Sequence, residues 1–216
     1  MPNNILESVK KFNTITIFRH VFADMDAIGS QFGLKYYLES AYPDKKIYCL
    51  GSDCPVSQRN NVHMDVIDDE VVASSLAIVL DTSNAARIDD ERYQLAKKSI
   101  RIDHHVQVET ICDEEWIDDK ASATCELLAL YFQEKKVDIP VESALMLYLG
   151  LTADNIRFTT NNVRPATFDA AKYLFEQGVD VTKVEQLNFS KSMNDYKYET
   201  VVRNHTILKN SSFIPF

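Results

Sequence analysis

At 216 residues, 45% of them hydrophobic and 25% charged, the chain has the makeup of one folded domain with a sizeable core, and 5 Gly and 6 Pro leave no room for long flexible linkers. A net charge of −9 excludes a long electropositive track for duplex DNA or RNA. It does not exclude a small phosphorylated substrate or short oligonucleotide, because two divalent cations in one cleft would reverse the local field.

In chain order, the polar start Met1-Pro2-Asn3-Asn4 has no signal-type apolar core, and no run approaches the roughly 18–20 apolar residues that cross a bilayer. Thr14 to Phe18 reads as a first strand. A helix follows from Asp26 to about Ser40, with Ala27, Ile28, Phe32, Leu34 and Tyr37 packing inward. Lys46 to Leu50 is a second strand, Leu76 to Leu80 a buried central one, Ile100 to Ile102 a fourth, and Glu115 to Ile117 an edge strand. After Asp119 the pattern turns helical: Ala123–Gln133, Val141–Thr152, Pro165–Gln177, Val181–Leu187 and a polar last helix from near Met193 to Asn210-Ser211-Ser212-Phe213. Pro140 and Pro165 suit first-turn positions, and Gly178 suits a helix stop. The expected fold is α/β: a doubly wound, mainly parallel sheet flanked by helices, with a helical second half. Cys49, Cys54, Cys112 and Cys125 show neither C-x-x-C spacing nor a dense framework, so free thiols in the cytoplasm are expected.

Chemistry-bearing residues gather where that pattern places strand ends. His20, Asp24 and Asp26 follow the first strand, Asp81 ends the one at Leu80, and Asp103-His104-His105 ends the next. In open α/β sheets these loops converge on one crevice. Asp154, at the end of a helix, arrives from the second half. So many carboxylates in one crevice repel one another unless cations neutralise them. Four Asp and two or three His suit two metals sharing a bridging carboxylate. Mixed oxygen and imidazole donors favour manganese over cobalt, iron or zinc, and magnesium least. Such a pair clamps a phosphoryl oxygen and activates hydroxide for phosphoester cleavage.

Each cluster alone has an ordinary structural use. His20 serves as a hydrogen-bonded strand-end histidine, Asp24 and Asp26 as turn and N-cap, Asp81 with Thr82 and Ser83 as a cap, Asp154-Asn155 as a helix end, and His104-His105 as a surface pair. None of these uses predicts four such clusters in order along one domain. Arg87, Arg157 and His105 are the candidate phosphate contacts, although Arg87 serves equally well to fix its own loop. Ala121-Ser122-Ala123-Thr124-Cys125-Glu126 reads as a capping box, with Ser122 or Thr124 opening a helix whose amino terminus would also attract phosphate.

In this order the residues resemble the DHH family of phosphoesterases from about Ile15 to Phe189. The motifs are His20-Val21-Phe22-Ala23-Asp24-Met25-Asp26-Ala27-Ile28-Gly29-Ser30, Leu80-Asp81-Thr82-Ser83, Ile102-Asp103-His104-His105, and Gly150 through Phe158. Trp116-Ile117-Asp118, Ala121 to Glu126 and the Phe168 to Asp180 segment make the bacterial oligoribonuclease (nanoRNase) and pAp-phosphatase group the nearest branch. The resemblance implies one metal held by His20, Asp24 and Asp81 and a second by Asp26, Asp81, His104 and Asp154, with Asp81 bridging. It further implies that His105 contacts the substrate phosphate while Asp103 supports a neighbouring histidine. The implied enzyme is a manganese-dependent phosphoesterase acting on short oligoribonucleotides or 3′-phosphoadenosine 5′-phosphate, with catalytic roles for His105, Asp81 and Asp103. It uses no long nucleic acid and no membrane, and a homodimer is compatible. Two alternatives stay open: a pyrophosphatase, exopolyphosphatase or cyclic-dinucleotide phosphodiesterase of the same family, and a nucleotide-binding module that has lost catalysis. Asn155 departs from the Thr of many members. Residues 1–190 are expected as the catalytic domain, and residues 191–216 as a connecting helix towards a C-terminal substrate-binding domain that the sequence does not contain.

Overall fold

A computed structural model describes residues 5–190, 193–204, 207–209 and 212–214. Runs rich in β-branched residues, too short for helices, form five strands: β1 (Thr14–Phe18), β2 (Lys46–Cys49), β3 (Leu76–Leu80), β4 (Lys98–Asp103) and β5 (Glu114–Ile117). They pair in parallel in the order β2-β1-β3-β4-β5. The chain winds outward from β1 to β2, then returns to build β3, β4 and β5 on the other side, as the doubly wound expectation requires.

Alternation along the strands feeds two cores. Ile15 and Ile17 of β1, Leu76, Ile78 and Leu80 of β3, and Ile100 and Ile102 of β4 face the larger one, with α2 (Met25–Ala41), α5 (Thr124–Lys135), α6 (Val141–Asp154) and α7 (Pro165–Glu176). Phe18, Ala77 and Val79 face a smaller core with Leu50, Val72, Ile88, Tyr93 and Cys112, beneath the short α4 (Asp69–Ala73) and two 3-10 turns (Ala85–Arg87, Glu91–Leu95). Arg101 and Asp103, two apart on β4, leave the apolar face together and pair. α2 is buried almost all round from Met25 to Leu34, because the sheet lies on one side of it and α5 and α6 lie on the other.

The expected strands and long helices recur within one to three residues. α1 (Ile5–Lys10), α3 (Pro55–Arg59), α4 and the 3-10 turns were not anticipated, being too short to show a helical period. α8 (Val181–Phe189) follows as expected. The last helix, α9 (Met193–Asn204), stops earlier than the sequence suggested, and β6 (Ile207–Lys209) pairs antiparallel with β7 (Ser212–Ile214). The apolar pairs Ile207-Leu208 and Phe213-Ile214 suit strands better than a polar helix. Asn210 and Ser211 lie outside the described residues.

Candidate metal centre

The strand-end residues do converge. Asp81 follows β3 with its backbone in the left-handed region (φ 51°), a conformation that Asp tolerates better than most residues, and its side chain is buried. Its Oδ2 lies 3.4 Å from His20 Nε2 and its Oδ1 lies 3.4 Å from His104 Nε2. One carboxylate therefore faces two imidazoles, one on each oxygen. Around it, three sets of side chains each bring their donor atoms within 4.8 Å of one another: His20, Asp24 and Asp81; Asp26, His104 and Asp154; and Asp81, His104 and His105.

Most members are held by a second interaction as well. Asp24 caps α2: its Oδ1 accepts from the amides of Asp26 and Ala27, while Oδ2 lies 3.7 Å from His20 Nε2. The cap thus falls on Asp24, two residues before the Asp26 position the sequence suggested, and it leaves the second oxygen for the cluster. Asp26 accepts from the amides of Thr124 (2.6 Å) and Cys125 (2.9 Å) at the start of α5. His104 Nε2 lies 3.8 Å from Asp26 and 3.5 Å from Asp154, at the end of α6. The Nδ1 atoms of His20 and His104 pair with the carbonyls of Val21 (2.7 Å) and Ala121 (3.3 Å), so each Nδ1 carries the proton and each Nε2 presents a lone pair when neutral. His105 is turned the other way: its Nδ1 lies 2.7 Å from Asp103, whose second oxygen is 2.6 Å from Arg101.

Charge is unbalanced here. Among the described residues, the only ion-pair partners of Asp26, Asp81 and Asp154 are histidines. Burial, then the charges of Asp81 and Asp154, push Asp26 well above the ordinary carboxylate value. Burial likewise lifts Asp154 to about 6. For His20 and His104 burial acts downward but is outweighed by the facing carboxylates, Asp24 and Asp81 for the first and Asp81, Asp26 and Asp154 for the second, which raise both to about 10. Burial also opposes the charge on Asp81, but the two histidines hold it well below its usual range. Protons thus do in this cluster what cations do better. A mixed set of imidazole nitrogen and carboxylate oxygen, acids in excess, fits divalent transition ions.

The remaining expectations separate. Arg87 is exposed at the rim, its Nη2 3.4 Å from His20 Nδ1. Arg157 turns to α8 instead, pairing with Glu185 at 2.8 Å and lying over the Phe189 ring, so its guanidinium is not brought to the cluster. The proposed capping box is corrected. Neither Ser122 nor Thr124 caps α5; Glu126 accepts from the amide and hydroxyl of Ser122, and the free amides of Thr124 and Cys125 serve Asp26. The phosphate-seeking helix terminus therefore holds a protein carboxylate. The sequence did not anticipate that the Thr124 hydroxyl donates to Asp81 (3.2 Å), or that Arg101 lies beneath Asp103. The i, i+2 spacing of Arg101 and Asp103 on one strand was the available signal for the second.

The family model described as DHH family, N-terminal domain, matches residues 14–151. The chain is 35% identical over 202 residues to the uncharacterized protein MG371 of Mycoplasma genitalium, covering 92% of this chain and 62% of that one. It is 34% identical over 179 residues to the bifunctional oligoribonuclease and PAP phosphatase of Bacillus subtilis, covering 82% and 57%. Among solved structures, an exopolyphosphatase-related protein from Bacteroides fragilis superposes with a TM-score of 0.83 at 22% identity, over 94% of this chain and 64% of that one. The chain thus spans less than two thirds of the length of these proteins.

Proposed function

The chain belongs to the DHH family, and from that premise we propose that it is a phosphoesterase hydrolysing short oligoribonucleotides, 3′-phosphoadenosine 5′-phosphate, or both, with two divalent cations, manganese above all. The observation that carries this is Asp81, one carboxylate with an oxygen towards each of two imidazoles, the arrangement of a bridging ligand. His20, Asp24 and Asp81 would hold one ion; Asp26, Asp81, His104 and Asp154 would hold the other. Bound there, the ions supply a nucleophile from water at neutral pH and polarise a phosphoryl oxygen.

The chain's own residues do the rest. Asp103 fixes the Nδ1 of His105, leaving Nε2 for a phosphate oxygen, and Arg101 keeps Asp103 ionised for that task. Arg87 at the rim suits a second phosphate contact. The substrate class follows the activities for which relatives at 29–34% identity are named. Four free cysteines suit the cytoplasm. No helix among the described residues is long and apolar enough to cross a membrane.

The test is a panel with manganese: pAp, pApA, longer oligomers, pyrophosphate and c-di-AMP. The expected result is turnover of pAp or pApA, lost by 10³-fold or more, on the order of removing a main charge-stabilising group, in Asp81→Ala. Turnover that survives this substitution would refute the centre.

A further inference from the structure

Beside the ligand cluster, and sharing a wall with it, lies a cavity of about 580 Å³ that the chemistry above does not use. Its sides come from three loops at the carboxyl edge of the sheet: Val21 to Ala23 after β1, Ser52 to Val56 after β2, and Asp89 after the first 3-10 turn. Phe22 lines it, 94% exposed and held at φ 54°. A bulky side chain in the left-handed region is disfavoured, and so is a phenyl ring left in water. Phe22 joins none of the ring pairs among the described residues, so packing does not explain it. Strain of this kind persists where a site uses it.

The floor is polar and fixed. Arg19, 1% exposed, donates to the carbonyls of His20 and Ser52 and to Asp89 Oδ2, yet its Nε is buried without a partner. Ser52 N also donates to Asp89 Oδ2, at 2.6 Å. Both hydrogen bonds to Asp89 therefore end on one oxygen, and Oδ1 remains as an acceptor. A bare aromatic face and a carboxylate oxygen match the stacking face and exocyclic amino group of a purine. The spacing agrees. Phe22 is two residues from His20 and two from Asp24, so its Cα lies within about 7 Å of either, the scale that separates phosphate from base within one nucleotide.

We infer that this cavity is a nucleobase subsite, with Phe22 as the stacking platform for the purine of the nucleotide whose phosphate sits at His20, Asp24 and Asp81. This assignment deepens the phosphoesterase reading and rests on it. The probes are adenosine 5′-monophosphate and ribose 5-phosphate, titrated calorimetrically into the manganese-loaded protein. The wild type is expected to favour the adenosine compound by about tenfold or more, within the range of aromatic–base stacking. In Phe22→Asn, which tolerates the positive φ but removes the ring, that preference falls to about twofold or less; Phe22→Trp restores it. Equal affinity of the two probes for the wild type, or an undiminished preference in Phe22→Asn, would overturn the subsite, as would failure of adenosine 5′-monophosphate to bind. Failure of the phosphoesterase reading looks different: no manganese-dependent turnover of pAp or pApA by the wild type, while the adenosine preference and its loss in Phe22→Asn persist.

Discussion

Asp103 shows how one residue is committed to one task by what surrounds it. It is fully buried, and burial alone would push its carboxyl up, but hydrogen bonds from His105 and Arg101 outweigh this and hold it below its usual value. Arg101 is equally buried; it spends its guanidinium on Asp103, on the carbonyls of Ser83 and Glu109, and on Glu115 at 3.6 Å. Removing one member of a buried pair strands the other charge, which costs about 3–5 kcal/mol, whereas replacing both with apolar groups is often neutral. Arg101→Leu should therefore lower the unfolding free energy, read from urea denaturation, by an amount in that range. Arg101→Leu with Asp103→Leu should recover most of the stability and none of the hydrolysis, because His105 then loses its Nδ1 anchor. A double variant that regained activity with stability would show that the pair serves the fold alone.

At the scale of elements, the centre exists because three helices meet at the edge of the sheet. α2 offers Asp26 to the first amides of α5, and α6 brings Asp154 alongside. The contact depends on Gly150, which is buried in α6: a Cβ there would meet Cys125 Sγ and approach Met25 O to 3.0 Å. Backbone cannot yield as a side chain does, so Gly150→Ala should cost about 1–3 kcal/mol as an overpacked core does. It should weaken manganese binding as well, read by calorimetry, since it separates Asp26 from Asp154; unchanged metal affinity would mean that the spacing is not critical. This junction was the least legible part of the chain. Thr14–Phe18 and Leu76–Leu80 declared their own bounds because strands buried on both faces read as unbroken apolar or β-branched runs. The ligand-type residues were legible because Asp and His are conspicuous at strand ends. That Asp26 would fill the amides of Thr124 and Cys125, some hundred residues on, is a tertiary fact with no local pattern, so a local capping box was the natural and mistaken expectation. The turn of Arg157 towards α8 was hidden for the same reason: its spacing from Asp154 carried no sign of Glu185 or Phe189.

For the molecule as a whole, a chain of net charge −9 that gathers Asp24, Asp26, Asp81 and Asp154 at one edge of its sheet must fold against their repulsion there. Without metal, protons do the neutralising, and the sign of their effect is fixed by the direction of each shift. His20 and His104, raised from 6.5 to about 10, stabilise the folded chain fully below 6.5, and that contribution is lost as pH climbs towards 10. Asp154, raised from 3.8 to about 6, contributes below 3.8 and loses its share as pH rises through 6. Asp81 runs the other way, lending stability above 3.8 that fades only in acid. The metal-free protein should thus lose stability steadily from about pH 6 to pH 10. Divalent cations must displace those same protons, so their affinity should rise over the same interval and binding at neutral pH should release protons to the buffer. At a hundred times the dissociation constant a bound ion adds about 2.7 kcal/mol, which for a chain of this size moves the melting midpoint by roughly 5–10 °C. Melting curves with manganese and with EDTA should therefore diverge as pH increases from 6 to 9, and in Asp81→Ala they should nearly coincide throughout. A manganese effect that shrank as pH rose would mean that protons and cations do not compete for these side chains.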